Sequence, residues 1–331
     1  MIKKFKYAII IPVISFNKYL KINLEHLNLQ KYKNFQVIIV TEKKFNLNKF
    51  KYKFRTKIIL SKIKTPGAKR NLATKYSHSD YFCFLDDDSF AHHNWLNCAN
   101  EIIKSKKKDN FIIGGPGVLP HDDSLLSKII DLFFTSIFLG PIRARYLSLS
   151  HYKNKKFDDW PSVNLIISKK NFIKIGGYDE DYWPGEDSKL CLKFINQIGK
   201  IVYAPDLIVY HYRRATLWKF TKQILRYSRT RGLFFRRAEK NSLRIFYFLP
   251  SILLLYLVYI LYNFNFGFFE IMFLVISILF LILDLIISYQ RQKNFLILIL
   301  SRIMIVYSIL IYSLGFFFGI LSTKNQTKLG R

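Results

Sequence analysis

Residues 81–88 read YFCFLDDD, an apolar run that ends in three consecutive aspartates. The run is short and rich in aromatic residues, which is typical of a buried β-strand. Three adjacent carboxylates repel one another, so a cation has to offset their charge. Mg²⁺ and Mn²⁺ prefer oxygen ligands of this kind. The stretch therefore predicts a strand that ends at a divalent-metal site, with a solvated acidic turn as the alternative.

The residues before this stretch predict alternating strands and helices. Strand-like runs occupy 7–14, 35–40 and 58–60, and helical apolar spacing occupies 19–30 and 67–76. This rhythm predicts an α/β fold with a mostly parallel, Rossmann-like sheet and helices on both faces. In such sheets ligands bind beyond the carboxyl ends of the strands, where the three aspartates lie.

A second acidic motif, Gly185-Glu186-Asp187, follows a loop rich in glycine, proline and aromatic residues. Apolar residues then recur at helical spacing, so the two carboxylates begin a predicted helix. The helix macrodipole stabilises an anion at this position. Such a carboxylate can act as a general base on a hydroxyl group. An N-cap without chemistry is the alternative.

The composition changes sharply near Leu243, after which three apolar stretches occupy 245–262, 266–288 and 295–321. A membrane span needs about 20 mostly apolar residues, so each stretch is long enough or nearly so. A buried helical core is the alternative, but helices of soluble proteins alternate apolar and polar faces. The sequence therefore predicts a domain at 1–240 and a membrane domain with about three spans at 241–331.

Basic residues predict the orientation of these spans. The region 210–244, just before the first span, and the joint at 289–294 are basic, whereas the joint at 263–265 has no Lys or Arg. The positive-inside rule places the first two on the cytoplasmic side, together with the domain at 1–240. We expect a multi-pass protein of an inner or plasma membrane.

The tail conflicts with three complete crossings, because Lys324, Lys328 and Arg331 would then lie outside. A re-entrant or interfacial third stretch would keep them inside. We expect a crossing, because a 27-residue stretch with one charge at Arg302 is costly to leave in water.

The formal net charge of +30 indicates an anionic partner: nucleic acid, a membrane surface or a phosphorylated substrate. The acidic cluster and the lack of a recognisable nucleic-acid module argue against nucleic acid. Basic residues before the first span predict binding to anionic lipids. Three cysteines without CxxC spacing predict neither a disulfide framework nor a zinc site.

Several motifs in order resemble those of family 2 glycosyltransferases, which are inverting enzymes of the GT-A fold. The resemblance covers 7–237 and includes bacterial membrane-bound enzymes that build surface polysaccharides. It is carried by AIIIPV at 8–13, QVIIVTE at 36–42, TPGAKRN at 65–71, LDDD at 85–88, GED at 185–187 and QILRY at 223–227. Two positions depart from the family pattern. Thr41 and Glu42 replace the usual two aspartates, and Tyr227 replaces a tryptophan, which leaves processivity open.

The resemblance implies a nucleotide diphosphate sugar as donor and a divalent metal, Mg²⁺ or Mn²⁺, as cofactor. Asp187 would be the catalytic base, next to Glu186. The implied metal ligands are Asp86, Asp88 and His211, although a lone histidine is more often structural. The implied donor-binding residues are Pro12, Glu42, Arg70, Asp86, Asp87, Gln223 and Arg226.

The predicted spans suggest a lipid-linked saccharide as acceptor, because anchoring raises its effective concentration at the enzyme. The apolar segment 125–147 predicts an interfacial helix, with a core helix as the alternative. A second enzymatic hypothesis has polyprenyl phosphate itself as acceptor. A hypothesis of another class is a non-enzymatic basic membrane protein. The donor sugar, its base and the oligomeric state stay open.

Overall fold

The computed structural model describes residues 6–48, 50–263, 267–322 and 327–328, and the chain divides into two compact units. The sheet unit comprises Met1–Pro120, Ala144–Tyr212 and Gln326–Arg331. The helical unit comprises His121–Arg143 and Arg213–Asn325. This division differs from the predicted boundary at residue 240, because the segments 121–143 and 213–240 join the helical unit.

The main sheet has seven strands in the order β10-β6-β8-β4-β1-β2-β3. Neighbours pair in parallel except at β8, which runs antiparallel to β4 and β6. The strands are β1 Tyr7–Pro12, β2 Phe35–Thr41, β3 Arg55–Leu60, β4 Tyr81–Phe84, β6 Phe111–Gly114, β8 Leu165–Ser168 and β10 Lys200–Tyr203. The prediction of a mostly parallel sheet is confirmed.

Two smaller sheets complete the described strands. One has the order β5-β11-β7, formed by Ser89–Ala91, Val209–His211 and Gly117–Val118. The other pairs β9, Tyr182–Trp183, in parallel with β12, Thr327–Lys328.

Helices cover both faces of the main sheet, as predicted. Successive residues of a strand point to opposite faces. Ile9 of β1 accordingly packs in one core cluster with Leu24, and Ile10 packs in the other with Leu190. The helices of this unit are α1 Lys18–Asn28, α2 Pro66–Lys75, α3 Trp95–Ser105, α5 Lys169–Lys174 and α6 Glu186–Gln197. Short 3-10 turns occupy Ser150–Tyr152 and Ser162–Asn164.

The segment predicted as one helix at 125–147 is two pieces, α4 Leu125–Phe134 and a 3-10 stretch Ile137–Arg145, bent by 104°. The 3-10 stretch itself breaks at Gly140, whose φ of 51° lies in the left-handed region that favours glycine. Apolar composition alone did not reveal the bend.

The helical unit continues with α7 Leu217–Arg236, a 3-10 turn Lys240–Ser242, α8 Ile245–Asn263, α9 Phe268–Arg291 and α10 Phe295–Leu321. The last three coincide with the predicted apolar stretches and are long and apolar enough to span a membrane. Residues 264–265 of the first joint and the tail residues Lys324 and Arg331 lie outside the described residues.

Candidate active site

The aspartates at 86–88 follow β4 and lie in the turn that leads into β5. β5 pairs antiparallel with β11, so that Ser89 faces His211. Asp88 Oδ1 consequently lies 3.3 Å from His211 Nε2. One ligand atom from each of Asp86, Asp88 and His211 falls within 4.8 Å of the others, and all three side chains are half-buried. Two carboxylates and an imidazole form a donor set that fits a divalent cation.

Arg70 on α2 joins the two acidic motifs. Its guanidinium lies 2.6 Å from Asp86 Oδ1 and 3.2 Å from Glu186 Oε1. Burial lowers the pKa of Arg70, but the neighbouring Asp86, Tyr178, Glu186 and Asp187 together outweigh burial and raise that pKa overall. Arg70 is therefore a permanent cation between carboxylates that come from distant parts of the chain.

Glu186 and Asp187 begin α6 directly after Gly185, whose φ of 114° again favours glycine. Burial raises the pKa of Glu186 to about 8, the neighbouring Asp187 adds to this rise, and Arg70 opposes it. The pKa of Asp187 is also raised by burial and then by the Asp159 carboxylate, against the opposing effect of Arg70.

The two carboxylates differ in what they contact. Glu186 is buried and ion-paired with Arg70, whereas Asp187 is half-buried and its Oδ2 accepts a 3.2 Å hydrogen bond from the Ser162 N–H. Asp187 is thus the more accessible of the two to an incoming hydroxyl group.

A cavity of about 300 Å³ lies beyond the carboxyl ends of β1 and β2. The Lys69 ammonium donates 2.7 Å hydrogen bonds to Val13 O and Glu42 Oε1, which fixes the Glu42 carboxylate at the cavity. Its size, and a mostly apolar lining that carries the charged Glu42 and Lys69, suit part of a small-molecule ligand. The cavity is lined by Pro12, Val13, Ile14, Glu42, Lys64, Pro66, Lys69 and Trp183.

For three predicted donor-binding residues the structure gives contacts with other side chains or a place outside the sheet unit. The Asp87 side chain is buried, and its Oδ2 accepts a 2.8 Å hydrogen bond from Asn17 Nδ2. Gln223 and Arg226 belong to α7 of the helical unit, where Gln223 Nε2 donates to the Tyr227 hydroxyl at 3.3 Å. Contacts of these residues with a donor stay predictions.

Sequence reasoning missed three supporting residues: Lys69, Asp159 and Ser162. Asp159 Oδ2 accepts a 2.8 Å hydrogen bond from Ser188 on the first turn of α6, and Ser162 holds Asp187. Both belong to the stretch DDWPS at 158–162, where acids beside Trp and Pro are a usable signal of a shaped loop. Nothing local in that stretch indicates that it packs on α6.

Comparisons with known proteins agree with this geometry. The sequence profile described as "Glycosyltransferase like family 2" matches residues 8–249. The amylovoran biosynthesis glycosyltransferase AmsB of Erwinia amylovora is 26% identical over 223 residues, which cover 63% of this chain and 70% of that protein. A Methanococcus voltae protein, named a dolichyl N-acetyl-α-D-glucosaminyl phosphate 3-β-D-2,3-diacetamido-2,3-dideoxy-β-D-glucuronosyltransferase, is 23% identical over 253 residues, 73% of this chain and 77% of that protein.

The fold is also similar to that of a solved structure. The mannosyltransferase PcManGT from Pyrobaculum calidifontis, in complex with GDP-Man and Mn²⁺, has a TM-score of 0.64 at 9% identity and covers 96% of this chain and 88% of that one. The predicted GT-A fold with C-terminal apolar helices is confirmed.

Proposed function

This chain belongs to glycosyltransferase family 2, and we propose that it moves a sugar from a nucleotide diphosphate sugar to a hydroxyl group of a lipid-linked saccharide, with inversion. The observation that carries the proposal is the Arg70 guanidinium, which holds Asp86 and Glu186 together. That contact makes one reaction centre out of two acidic motifs. The cavity at β1 and β2 is in the same unit.

The donor would bind with its base in the cavity and its diphosphate toward the aspartates. Glu42, which is held by Lys69, offers a carboxylate oxygen to donor groups of the base, as the replaced aspartate of the family would. PcManGT, which has a similar fold, was solved with a nucleotide sugar. Its complex supports the donor class but does not identify the sugar or the base used by this chain.

Asp86, Asp88 and His211 would hold a Mg²⁺ or Mn²⁺ ion, which when bound supplies Lewis-acid stabilisation of the leaving diphosphate. The carboxylates suit this role because they lie at a strand end where a diphosphate is expected. Arg70 contributes a fixed positive charge next to Asp86, and this charge needs no reorganisation when the leaving group forms.

Asp187 would act as the general base. The acceptor oxygen forms a bond to the anomeric carbon on the face opposite the diphosphate, and the bond to the diphosphate oxygen breaks. The hydroxyl proton passes to the Asp187 carboxylate. A raised pKa makes Asp187 a stronger base than an ordinary aspartate, which favours this transfer. Glu186 is ion-paired with Arg70 and thereby positions the start of α6, where Asp187 lies.

The acceptor follows from the apolar helices and from the names of the relatives. One relative is named for the synthesis of a polysaccharide and another for transfer to a dolichyl-linked sugar phosphate. Three apolar helices support a membrane anchor that keeps the enzyme near a lipid-linked substrate. We place the catalytic side in the cytoplasm, where nucleotide sugars are made.

A direct test uses the purified full-length protein in lipid vesicles with a panel of labelled nucleotide sugars. Each donor is offered with lipid-linked saccharides or with bare polyprenyl phosphate, with Mn²⁺ or with excess EDTA. We expect Mn²⁺-dependent label in the lipid-linked saccharides. Label only in the bare lipid phosphate would overturn the proposed acceptor, and transfer from none of the donors would overturn the function.

A further inference from the structure

We propose that α10 does not cross the membrane but lies along its surface, with one apolar face in the lipid, and that the tail returns to the side of the sheet unit. The helices α8 and α9 would then make the only two crossings among the described helices. The observations are contacts within each unit, so the inference does not rest on the enzymatic activity.

α10 runs alongside α7 in the same direction. The Thr221 and Tyr307 hydroxyls lie 2.6 Å apart, and Arg236 donates to the Ser322 carbonyl; both pairs are 86 residues apart in sequence. Between these two ends a Cβ atom added at Gly232 would collide with the Phe316 carbonyl. A constant separation and close backbone contact keep every turn of α10 within one helix diameter, ~8–10 Å, of the matching turn of α7, so α10 cannot cross a bilayer that α7 does not cross.

α7 carries too much charge to span a bilayer. Within Leu217–Arg236 it has six basic residues and no acidic one: Lys219, Lys222, Arg226, Arg229, Arg231 and Arg236. A basic side chain at the centre of a bilayer costs about 2.5 to 3.5 kcal/mol on insertion scales. Near anionic headgroups, each is instead favourable by about 1 kcal/mol. α7 therefore lies at the headgroup level, and α10 lies there with it.

The exposed surface of α10 is a single apolar stripe. Its members recur every three or four residues along one face: Leu296, Ile299, Ile303, Val306, Leu310, Leu314, Phe318 and Leu321. The opposite face is buried, so that 33% of the apolar window of α10 is buried, against 17% for α8 and 11% for α9. Helices exposed to lipid on nearly all faces fit crossings, whereas one apolar stripe fits a helix lying in the interface.

The tail gives an independent argument. Thr327 and Lys328 of β12 pair with Tyr182 and Trp183 of β9, inside the sheet unit. The chain must therefore cross the membrane an even number of times between the sheet unit and the tail. Crossings by α8 and α9 alone satisfy this condition, and the basic tail then obeys the positive-inside rule.

Cysteine labelling with a membrane-impermeant maleimide tests the inference. Starting from a variant with Cys83, Cys98 and Cys191 replaced by serine, single cysteines are introduced as Lys107→Cys in the sheet unit, Asn263→Cys at the end of α8 and Ser322→Cys after α10. Intact cells and inverted vesicles are labelled in parallel. We expect Lys107→Cys and Ser322→Cys to react from the same side and Asn263→Cys from the opposite side.

Reaction of Ser322→Cys from the same side as Asn263→Cys would overturn the proposal. A second measurement needs no cysteine replacement, in case the serine background does not fold. An epitope tag placed after Arg331 of the unchanged sequence is probed with protease in inverted vesicles, beside an antibody to the sheet unit. Both should be digested together; a protected tag with a digested sheet unit would contradict two crossings. Neither assay measures transfer, so the proposed function can fail separately.

Discussion

The two units of the molecule arrange charge in opposite ways. In the sheet unit one cation lies between two anions, with the Arg70 guanidinium 2.6 Å from Asp86 and 3.2 Å from Glu186. In the helical unit one anion lies between two cations, with the Asp131 carboxylate 2.7 Å from Arg213 and 3.2 Å from Arg291. The chain as a whole has a net charge of +30, but the sheet unit contains a local cluster of acidic residues around Arg70.

The opposite charge balance of the Arg70 cluster and the Asp131 cluster indicates what each can bind. Around Arg70 the carboxylates exceed the cation, since Asp88 and Asp187 are close by, so the cluster suits a metal ion and a mobile proton. Around Asp131 the guanidinium groups are in excess, in a unit whose α7 is strongly basic, which suits a headgroup surface. The predictions below perturb one cluster at a time, from the largest expected free-energy change to the smallest.

Removing a proposed metal ligand should have the largest effect. We expect Asp88→Ala to abolish transfer without unfolding the protein, because the leaving diphosphate loses its electrostatic stabilisation. The measurement is product formation with Mn²⁺ or Mg²⁺, together with circular dichroism. Asp206→Ala, an exposed aspartate of the same unit, is the control that should keep its activity. Full wild-type activity in excess EDTA would contradict the metal site.

The Asp131 cluster should affect stability rather than catalysis. Asp131→Ala breaks the ion pair of the buried Arg213 with the Asp131 carboxylate, and breaking a buried pair costs about 3 to 5 kcal/mol. We expect a clearly lower melting temperature in detergent, with unchanged donor affinity. The exposed Asp122→Ala in the same unit should melt like the wild type. An unchanged melting temperature for Asp131→Ala would show that the cluster is not a stabilising element.

Removing the base should lower turnover and spare binding. Asp187→Asn keeps the shape of the side chain and its acceptor oxygen for Ser162, but it cannot take a proton. We expect donor binding to stay nearly intact and turnover to fall by about 10²-fold or more. Normal turnover in this variant would show that Asp187 only begins the helix.

The pH dependence of turnover distinguishes the wild type from Asp187→Asn in a second way. The base works only when ionised, and burial raises the pKa of Asp187. Wild-type turnover should therefore fall as the pH drops through a value above that of an ordinary aspartate. The residual activity of Asp187→Asn should lack this acid limb. An identical limb in both proteins would assign the titration to another group.

Glu42→Gln should give the smallest effect. It removes the charge that pairs with Lys69 at 2.7 Å and weakens the contact with the donor base, so we expect KM for the donor to rise about 10-fold with kcat little changed. Glu25→Gln on the exposed surface of α1 is the matched control. A fall in kcat at constant KM would show that Glu42 does not contribute to binding of the donor in the ground state.

The sequence predicted what depends on local pattern. The strands at 7–14, 35–40 and 81–85 were placed almost correctly, because buried strands are continuous apolar runs that end at polar residues. The structure places His211, which the family resemblance implied as a metal ligand, at the end of β11. The antiparallel β8 and the 104° bend after α4 were not expected, since composition carries no information about strand direction or kinks.

Long-range contacts were beyond sequence reasoning. Arg70 and Glu186 are 116 residues apart, and no periodicity indicates that they form an ion pair. Asp87 lies in the turn before β5, and nothing local in the sequence indicates that its carboxylate accepts a hydrogen bond from Asn17, 70 residues away. The proposed interfacial position of α10 could not be inferred from its sequence either, because its hydropathy resembles that of a crossing helix.

The most direct test of the joined acidic centre is the release of nucleoside diphosphate from a labelled nucleotide sugar by protein in lipid vesicles. Wild-type protein and Asp88→Ala are compared with and without a lipid-linked saccharide acceptor. The account predicts release that requires the divalent metal, rises with the acceptor and disappears in Asp88→Ala. Equal release by the two proteins, or release from none of the nucleotide sugars, would contradict it.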